Sequence, residues 1–318
     1  MKKIKLLTLL PLLFTPFMTT GCQNIGVKRI GICQLVKHPA LDAATDGFIE
    51  AVEEGLGKNR VKIDRQEASG DSASCVAIVN SFVTKNVDLI MANATPALQA
   101  AANSTLTIPI LGTSITDYGT ALSLKDFDGS VVGGNISGTT DLAPLDGQVD
   151  MILELVPTAR KVGLLYCAAE SNSLFQIDVV DGLLKGKGLD TKRISFADSN
   201  DLQSVLTANI AGLDVLYIPT DNTCADNVNI IDSVCRPAEL PVICGEENLC
   251  KGCGVASLSI DYFNLGKKTG VMAVQILKEG KDISKMPIVF DDNPQKKFNP
   301  EICEALNITV PESYIAIE

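Results

Sequence analysis

At 318 residues and 33.8 kDa the chain exceeds what one hydrophobic core usually serves, so two lobes are expected and a single small domain is excluded. Hydrophobic residues make up 46% and charged residues 20%, a globular balance that excludes a disordered chain. With 27 Lys and Arg against 38 Asp and Glu, a net charge of −11 and a pI near 4.7, the chain lacks the basic footprint of a nucleic-acid binder, and no nucleic acid is expected as a partner.

In chain order, Lys2, Lys3 and Lys5 come first, followed by an apolar run from Leu6 to Met18 that Pro11 and Pro16 interrupt and Thr19-Thr20-Gly21-Cys22 closes. The run is shorter than the roughly 20 residues of a membrane-spanning helix, so it reads as an export signal. Small residues directly before a cysteine resemble a lipobox, with Thr19 where an aliphatic residue is usual. That resemblance implies cleavage before Cys22, a diacylglyceryl group on its sulfur and residues 1–22 as a removable signal peptide. No later stretch is apolar enough to span a bilayer, so a body tethered by lipid to the outer face of the cell membrane is expected.

After the short tether Gln23–Gly26, strand-like runs at Arg29–Cys33, Val61–Arg65, Asp88–Ala92 and Ile108–Leu111 alternate with helix-like stretches at Ala40–Glu54, Ser72–Lys85 and Pro96–Asn103. Apolar strands alternating with helices indicate a parallel sheet covered on both faces. Val131–Ile136 is a further strand-like segment. The second half then repeats the first. Arg29-Ile30-Gly31-Ile32 corresponds to Lys161-Val162-Gly163-Leu164, Asp88–Thr95 to Asp214–Asp221, and Ile108–Gly112 to Leu240–Cys244. Gly254–Ile260 is another strand candidate, followed by a helical run at Leu265–Leu277. If that helix packs on the first lobe, the chain crosses between lobes more than once and forms a hinge. The expected fold is therefore α/β, two doubly wound parallel-sheet lobes joined by a hinge. The first lobe is expected at 23–135 plus about 260–285, and the second at 136–259 plus about 286–318.

Ten cysteines in an exported chain suggest disulfides, but lipidation of Cys22 leaves an odd number and a chain of this size folds without staples. Cys250 and Cys253 form a CxxC beside Cys244. No second CxxC exists and His38 is the sole histidine, so a zinc site lacks ligands and no metal or cofactor is expected. Gly252 and Gly254 read as a loop, against a thioredoxin-like motif, leaving a local bridge or buried thiols.

Chain crossings between two such lobes look like the type I periplasmic binding protein fold, a Venus flytrap. Thr95-Pro96-Ala97, Gly112–Asp117, Gly134–Asp141, Pro219–Thr223 and Gly245-Glu246-Glu247 resemble the tryptophan/tyrosine-type substrate-binding lipoproteins of ABC transporters. The resemblance runs over roughly residues 25–290 and leaves the tail Asp291–Glu318 without recognisable signal. It implies capture of a free aromatic amino acid, with an ABC permease and its ATPase as partners and a lipid anchor in the membrane. Branched-chain amino acids or another small solute remain open, as does a sensing or surface-adhesin lipoprotein on the same fold.

Ligands of open α/β sheets sit beyond the carboxyl ends of the strands, which singles out the residues following each run. Thr95-Pro96 fits a helix start whose free N–H groups would receive a carboxylate, with Ser114 and Thr116 adding hydroxyls; Thr95 as a simple cap is the alternative. Asp221, with Thr220 and Asn222 in the same loop, is the first candidate for an ammonium partner and Glu246 the second; each also fits a helix cap. Asn172 and Ser173 resemble family pocket positions or cap a helix. For an aromatic slot the candidates are Tyr118, Phe175, Leu35 and Pro39, each equally readable as packing. His38 reads as pocket rim or solvated loop. A catalytic triad would have to use His38, and neither a GxSxG elbow nor a Walker A motif occurs, so an enzyme is not expected.

Overall fold

The computed structural model describes residues 26–291 and 293–318. The expected signal peptide and Cys22 lie outside them. The first lobe is built from β1 (Lys28–Gln34), α1 (Pro39–Leu56), β2 (Val61–Glu67), α2 (Ser72–Thr84), β3 (Leu89–Asn93), α3 (Thr95–Ser104), β4 (Ile110–Ile115), α4 (Tyr118–Leu122) and β5 (Ile136–Thr140). Its sheet runs β2-β1-β3-β4-β5 with every pair parallel. Strands β3 and β4 are buried along their whole length, because helices cover both faces.

The second lobe comprises α5 (Leu145–Leu155), β6 (Lys161–Cys167), α6 (Ser171–Gly186), β7 (Asp190–Phe196), α7 (Ser199–Asn209), β8 (Val215–Ile218), α8 (Asn222–Asp226), α9 (Val228–Cys235), β9 (Val242–Cys244), α10 (Glu247–Cys253) and β10 (Ala256–Ser259). The chain then forms α11 (Tyr262–Glu279), β11 (Gln295–Phe298), α12 (Pro300–Ala305) and β12 (Ile315–Ala316). The second sheet runs β12-β11-β10-β9-β8-β6-β7, parallel except where β11 meets β10. Thus β7-β6-β8-β9-β10 reproduces β2-β1-β3-β4-β5, the duplication read from sequence. One carboxylate in each lobe ties the frame together. Asp88 accepts the Arg29 N–H at 2.7 Å, and Asp214 accepts those of Arg160 and Lys161 at 2.8 Å each.

Helix α11 returns to the first lobe and lies along α1. A Cβ on Gly266 would sit 1.9 Å from the Ala44 carbonyl oxygen, and one on Gly47 2.1 Å from that of Phe263, so only glycine permits this approach. Three crossings join the lobes, near Asp141, near Asp261 and after Val289.

Several expectations need correction. Residues 136–140 pair with β4 and complete the first sheet, so the first crossing falls after Thr140, not at 135. The strand-like reading of Val131–Ile136 fails because Gly133 and Gly134 turn at φ +83° and +59°. The third crossing is also later than 285. Ser137 Oγ donates to the Met286 carbonyl at 3.0 Å and the Thr140 N–H to that of Val289 at 3.0 Å, holding 286–289 on the first lobe. The CxxC is helical: Cys250 lies in the middle of α10 and Cys253 ends it, with Gly254 as its cap. Every cysteine among the described residues is a free, buried thiol, including Cys33 and Cys167 at the matched strand ends.

Candidate functional site

The carboxyl ends of both sheets face each other across a small cavity. From the first lobe come His38 and Leu41 at the start of α1, Ser114 on β4 and Thr116 just after it. From the second come Asn172, Thr220, Asp221, Asn222, Ala225 and Glu246, and the crossings supply Asp141 and Tyr262. The backbone is strained at two strand ends of the first lobe, one of which, Ser114, lines this space. Ser114 has φ +54° at a register break in β4, and Ala94, just after β3, has φ +86°; both are buried. Such conformations cost about 1–3 kcal/mol each and persist where surrounding structure imposes them.

Charge is the cavity's main property. Asp141, Asp221 and Glu246 are all buried, and none of the residues lining the cavity is Lys or Arg. Burial pushes Asp141 up to about 6. It pushes Asp221 up to about 7, with the Glu170 charge adding to the effect, and Glu246 likewise to about 7. Each carboxylate keeps some hydrogen bonds. Asp221 caps α8 through the Cys224 N–H at 2.8 Å and takes the Cys167 N–H at 2.7 Å. Glu246 caps α10 through the N–H groups of Asn248 and Leu249. Asp141 accepts from Thr116 Oγ1 and Tyr262 OH, both at 3.0 Å. For Asp221 and Glu246 the sequence left cap and ligand partner as alternatives; each caps a helix and also lines the cavity.

Besides the contact from Gln99 Nε2 to Ser171 Oγ at 3.5 Å, two hydrogen-bond chains join the lobes at the cavity. Gln176 Nε2 donates to Thr220 Oγ1 at 2.7 Å, and the Thr116 hydroxyl proton is used on Asp141, so Thr220 donates to Thr116 across the cleft at 3.3 Å. The result is a directed relay from α6 to Asp141. In the second chain, Asn222 Nδ2 donates to Glu170 Oε2 at 2.7 Å, which turns Oδ1 toward His38 Nε2 at 3.3 Å. Nε2 therefore carries a proton. Burial lowers the His38 pKa, so the ring is neutral and Nδ1 presents a lone pair. That atom has no partner, nor do Ser114 Oγ and Asn172 Oδ1, all three buried on residues that line the cavity. Unpaired buried polar groups are rare, and three around one space mark a site built for a polar ligand.

Not every expected residue reaches it. Tyr118 is buried behind the sheet, its hydroxyl donating to the carbonyls of Gly112 at 3.1 Å and Thr139 at 3.0 Å, so it does not line the cavity. Thr95 is the first residue of α3 rather than its cap, which is Ala94, and it too stays out of the cavity wall. Ser173 is fully buried beside Asn172, whose Nδ2 donates to its hydroxyl at 3.4 Å, and it does not line the cavity. Pro39 is exposed, and Phe175 lies on α6 away from the cavity. Leu35 borders a larger cleft of about 300 Å³ with Val36, Pro96, Glu170 and Asn222. His38, with only 6% of its surface exposed, is no solvated loop residue. Asp141, Tyr262, Leu41 and Ala225 were missed as site residues. The available signal was Asp141 at the end of the Gly134–Asp141 motif, beside a chain crossing.

Duplicated α/β lobes closing on a polar cavity define a type I periplasmic binding protein. The ABC transporter substrate binding protein family model matches residues 29–317, and the chain belongs to that family, whose members bind solutes and do not catalyse. Among curated proteins it is 34% identical over 308 residues to the tyrosine-binding protein of Clostridioides difficile, covering 92% of this chain and 88% of the relative. Among solved structures it resembles an ABC domain from Streptococcus pneumonia in complex with L-Trp, with TM-score 0.86, 30% identity and coverage of 91% and 99% of the two chains. It also resembles the ligand-free, open structure of a Clostridium difficile substrate-binding protein with adhesive properties, at 34% identity and coverage of 92% and 99%, but with TM-score 0.70. In this chain the two lobes touch across the cleft.

Proposed function

We propose that this protein captures a free aromatic amino acid between its lobes and hands it to an ABC importer, while a lipid on Cys22 holds it at the outer face of the membrane. The observation that carries this reading is the excess of buried carboxylates over cations. Asp141, Asp221 and Glu246 need a positive partner, and the α-ammonium of a zwitterion supplies one. The unpaired Ser114 hydroxyl offers a donor to the ligand carboxylate, and His38 Nδ1 an acceptor to the ammonium. The larger cleft shares Asn222 with the inner cavity and, within a mostly polar lining, offers Leu35, Val36 and Pro96 as an apolar strip against which an aromatic side chain can lie. Relatives described as tyrosine-binding and as an L-Trp complex support the ligand class. A permease and its ATPase are the partners this reading implies.

A second role in surface adhesion is favoured by one observation, the adhesive properties of the Clostridium difficile relative. Calorimetry on residues 23–318, refolded to remove carried-over ligand, tests the main reading. Saturable binding of tryptophan, tyrosine or phenylalanine and none of leucine is expected. Silence with all three aromatic amino acids would overturn the ligand class.

A further inference from the structure

We propose that the base of the first lobe, opposite the cleft, docks on anionic lipid headgroups and so holds the protein upright on its membrane. This rests on the lipid-anchor reading. Arg29 and Lys62 are register partners on neighbouring strands β1 and β2, which puts two exposed cations side by side on one face of the sheet. Such a like-charge pair opposes sheet formation. Among the described residues neither cation has an ion-pair partner, because the nearby acids are occupied. Asp64 pairs with Lys85 at 2.7 Å, and Asp88 binds the Arg29 N–H and lies 4.0 Å from Lys28. Arg29, Lys62 and the Asp64–Lys85 pair ring an open hollow with Ile63 and Val87 on its wall, so Arg29 and Lys62 are its uncompensated cations and sit beside apolar surface, a match for a lipid headgroup and its glycerol.

The duplication supplies an internal control. At the matching place in the second lobe, the equivalent of Arg29 is Lys161, and its register partner is an acid, Asp190. The lobe that carries the anchor keeps an unneutralised basic pair, and the lobe without one does not. Lys28 follows Cys22 by six residues, so at ~3.5 Å per residue the patch stays within about 20 Å of a lipidated cysteine. A short tether raises the effective concentration of headgroups enough for a weak patch to engage, even though the loss of Lys2, Lys3 and Lys5 with the signal leaves the mature chain at a net charge of −14.

The test is lysine footprinting of the lipidated protein on vesicles. With an amine-reactive ester, Lys62 should react several-fold more slowly on vesicles containing phosphatidylglycerol than on pure phosphatidylcholine, Lys161 should be unaffected, and Arg29→Glu should restore Lys62 reactivity without changing amino-acid binding. Equal reactivity of Lys62 on the two vesicles overturns the proposal, as does equal protection by free inorganic phosphate. A chain that fails to stay on phosphatidylcholine vesicles overturns the anchor instead. Co-sedimentation with phosphatidylglycerol vesicles then decides the patch. A partition about 25-fold weaker in R29A/K62A upholds it, at about fivefold per basic residue, and an unchanged partition rejects it.

Discussion

The two lobes share a frame and differ where they meet. Asp88 and Asp214 do the same work at the start of matched strands, and the strand orders coincide over five strands. At the opposite ends the matched positions diverge in charge. His38 corresponds to Glu170, Thr95 to Asp221 and Ser114 to Glu246, so in each pair the first lobe is neutral and the second acidic. Duplication conserved the hydrophobic alternation that makes the sheets and left the strand-end loops free to specialise. One lobe became the acidic half of a polar site, and the other the half that offers hydroxyls, an imidazole and strained backbone.

That asymmetry can be broken most strongly at Asp221. With an ammonium against it, Asp221→Asn should weaken aromatic amino-acid binding by about 100-fold or more, because a buried cation would lose a charged partner. The matched change in the neutral lobe, Ser114→Ala, removes one hydroxyl and should cost only about three- to tenfold. Calorimetry on both variants, with thermal melts to register the acceptor that Asp221→Asn takes from the Cys167 N–H, makes the comparison. Equal losses would mean that the acidic lobe does not carry the ammonium.

Acidification attacks the same difference more mildly. Asp221 and Glu246 have folded-state pKa values raised to about 7, and Asp141 to about 6, all above those of the unfolded chain. The folded, ligand-free protein therefore binds more protons than the unfolded chain between about pH 4 and 7. These groups make it more stable as pH falls through 7, whereas ligand binding needs them charged and weakens over the same range. Melting temperature without ligand and affinity for ligand should move in opposite directions between pH 8 and 5.5. A parallel fall in both would show that the carboxylates are already paired without ligand.

Much of this was legible in sequence for a physical reason. Strands such as Leu89–Asn93 and Lys161–Cys167 are apolar runs of fixed length, and their repetition gives both lobes and the strand ends where Asp221 and Glu246 fall. The tail was opaque because β11 reads Gln-Lys-Lys-Phe and, next to the short edge strand β12, is only half-buried along its length, so it carries no apolar run. Crossing points were opaque too. Whether Ile136–Thr140 joins the first or second sheet depends on pairing with β4, and the site role of Asp141 and Tyr262 follows from where the chain crosses. Tyr118 misled because an aromatic beside a strand end suits a ligand slot, yet the carbonyls of Gly112 and Thr139 claim its hydroxyl.

The smallest effect tests whether the lobes are coupled by contacts of their own as well as by ligand. The relay from Gln176 through Thr220 and Thr116 to Asp141 crosses the cleft at a single point, the 3.3 Å contact between the two hydroxyls. Thr116→Val keeps the shape of the side chain but removes both its proton and its lone pairs. Thr220 then loses its acceptor and Asp141 one donor, while the packing within each lobe is untouched. If the relay favours closure, the closed fraction of the ligand-free protein falls, and apparent affinity falls with it, by about fivefold for one neutral hydrogen bond. X-ray scattering without ligand should show a larger radius of gyration for the variant, and saturating ligand should erase the difference. An unchanged radius with reduced affinity would mean instead that Thr116 acts on the ligand directly, and the first lobe would then be a stronger partner in binding than its lack of charge implies.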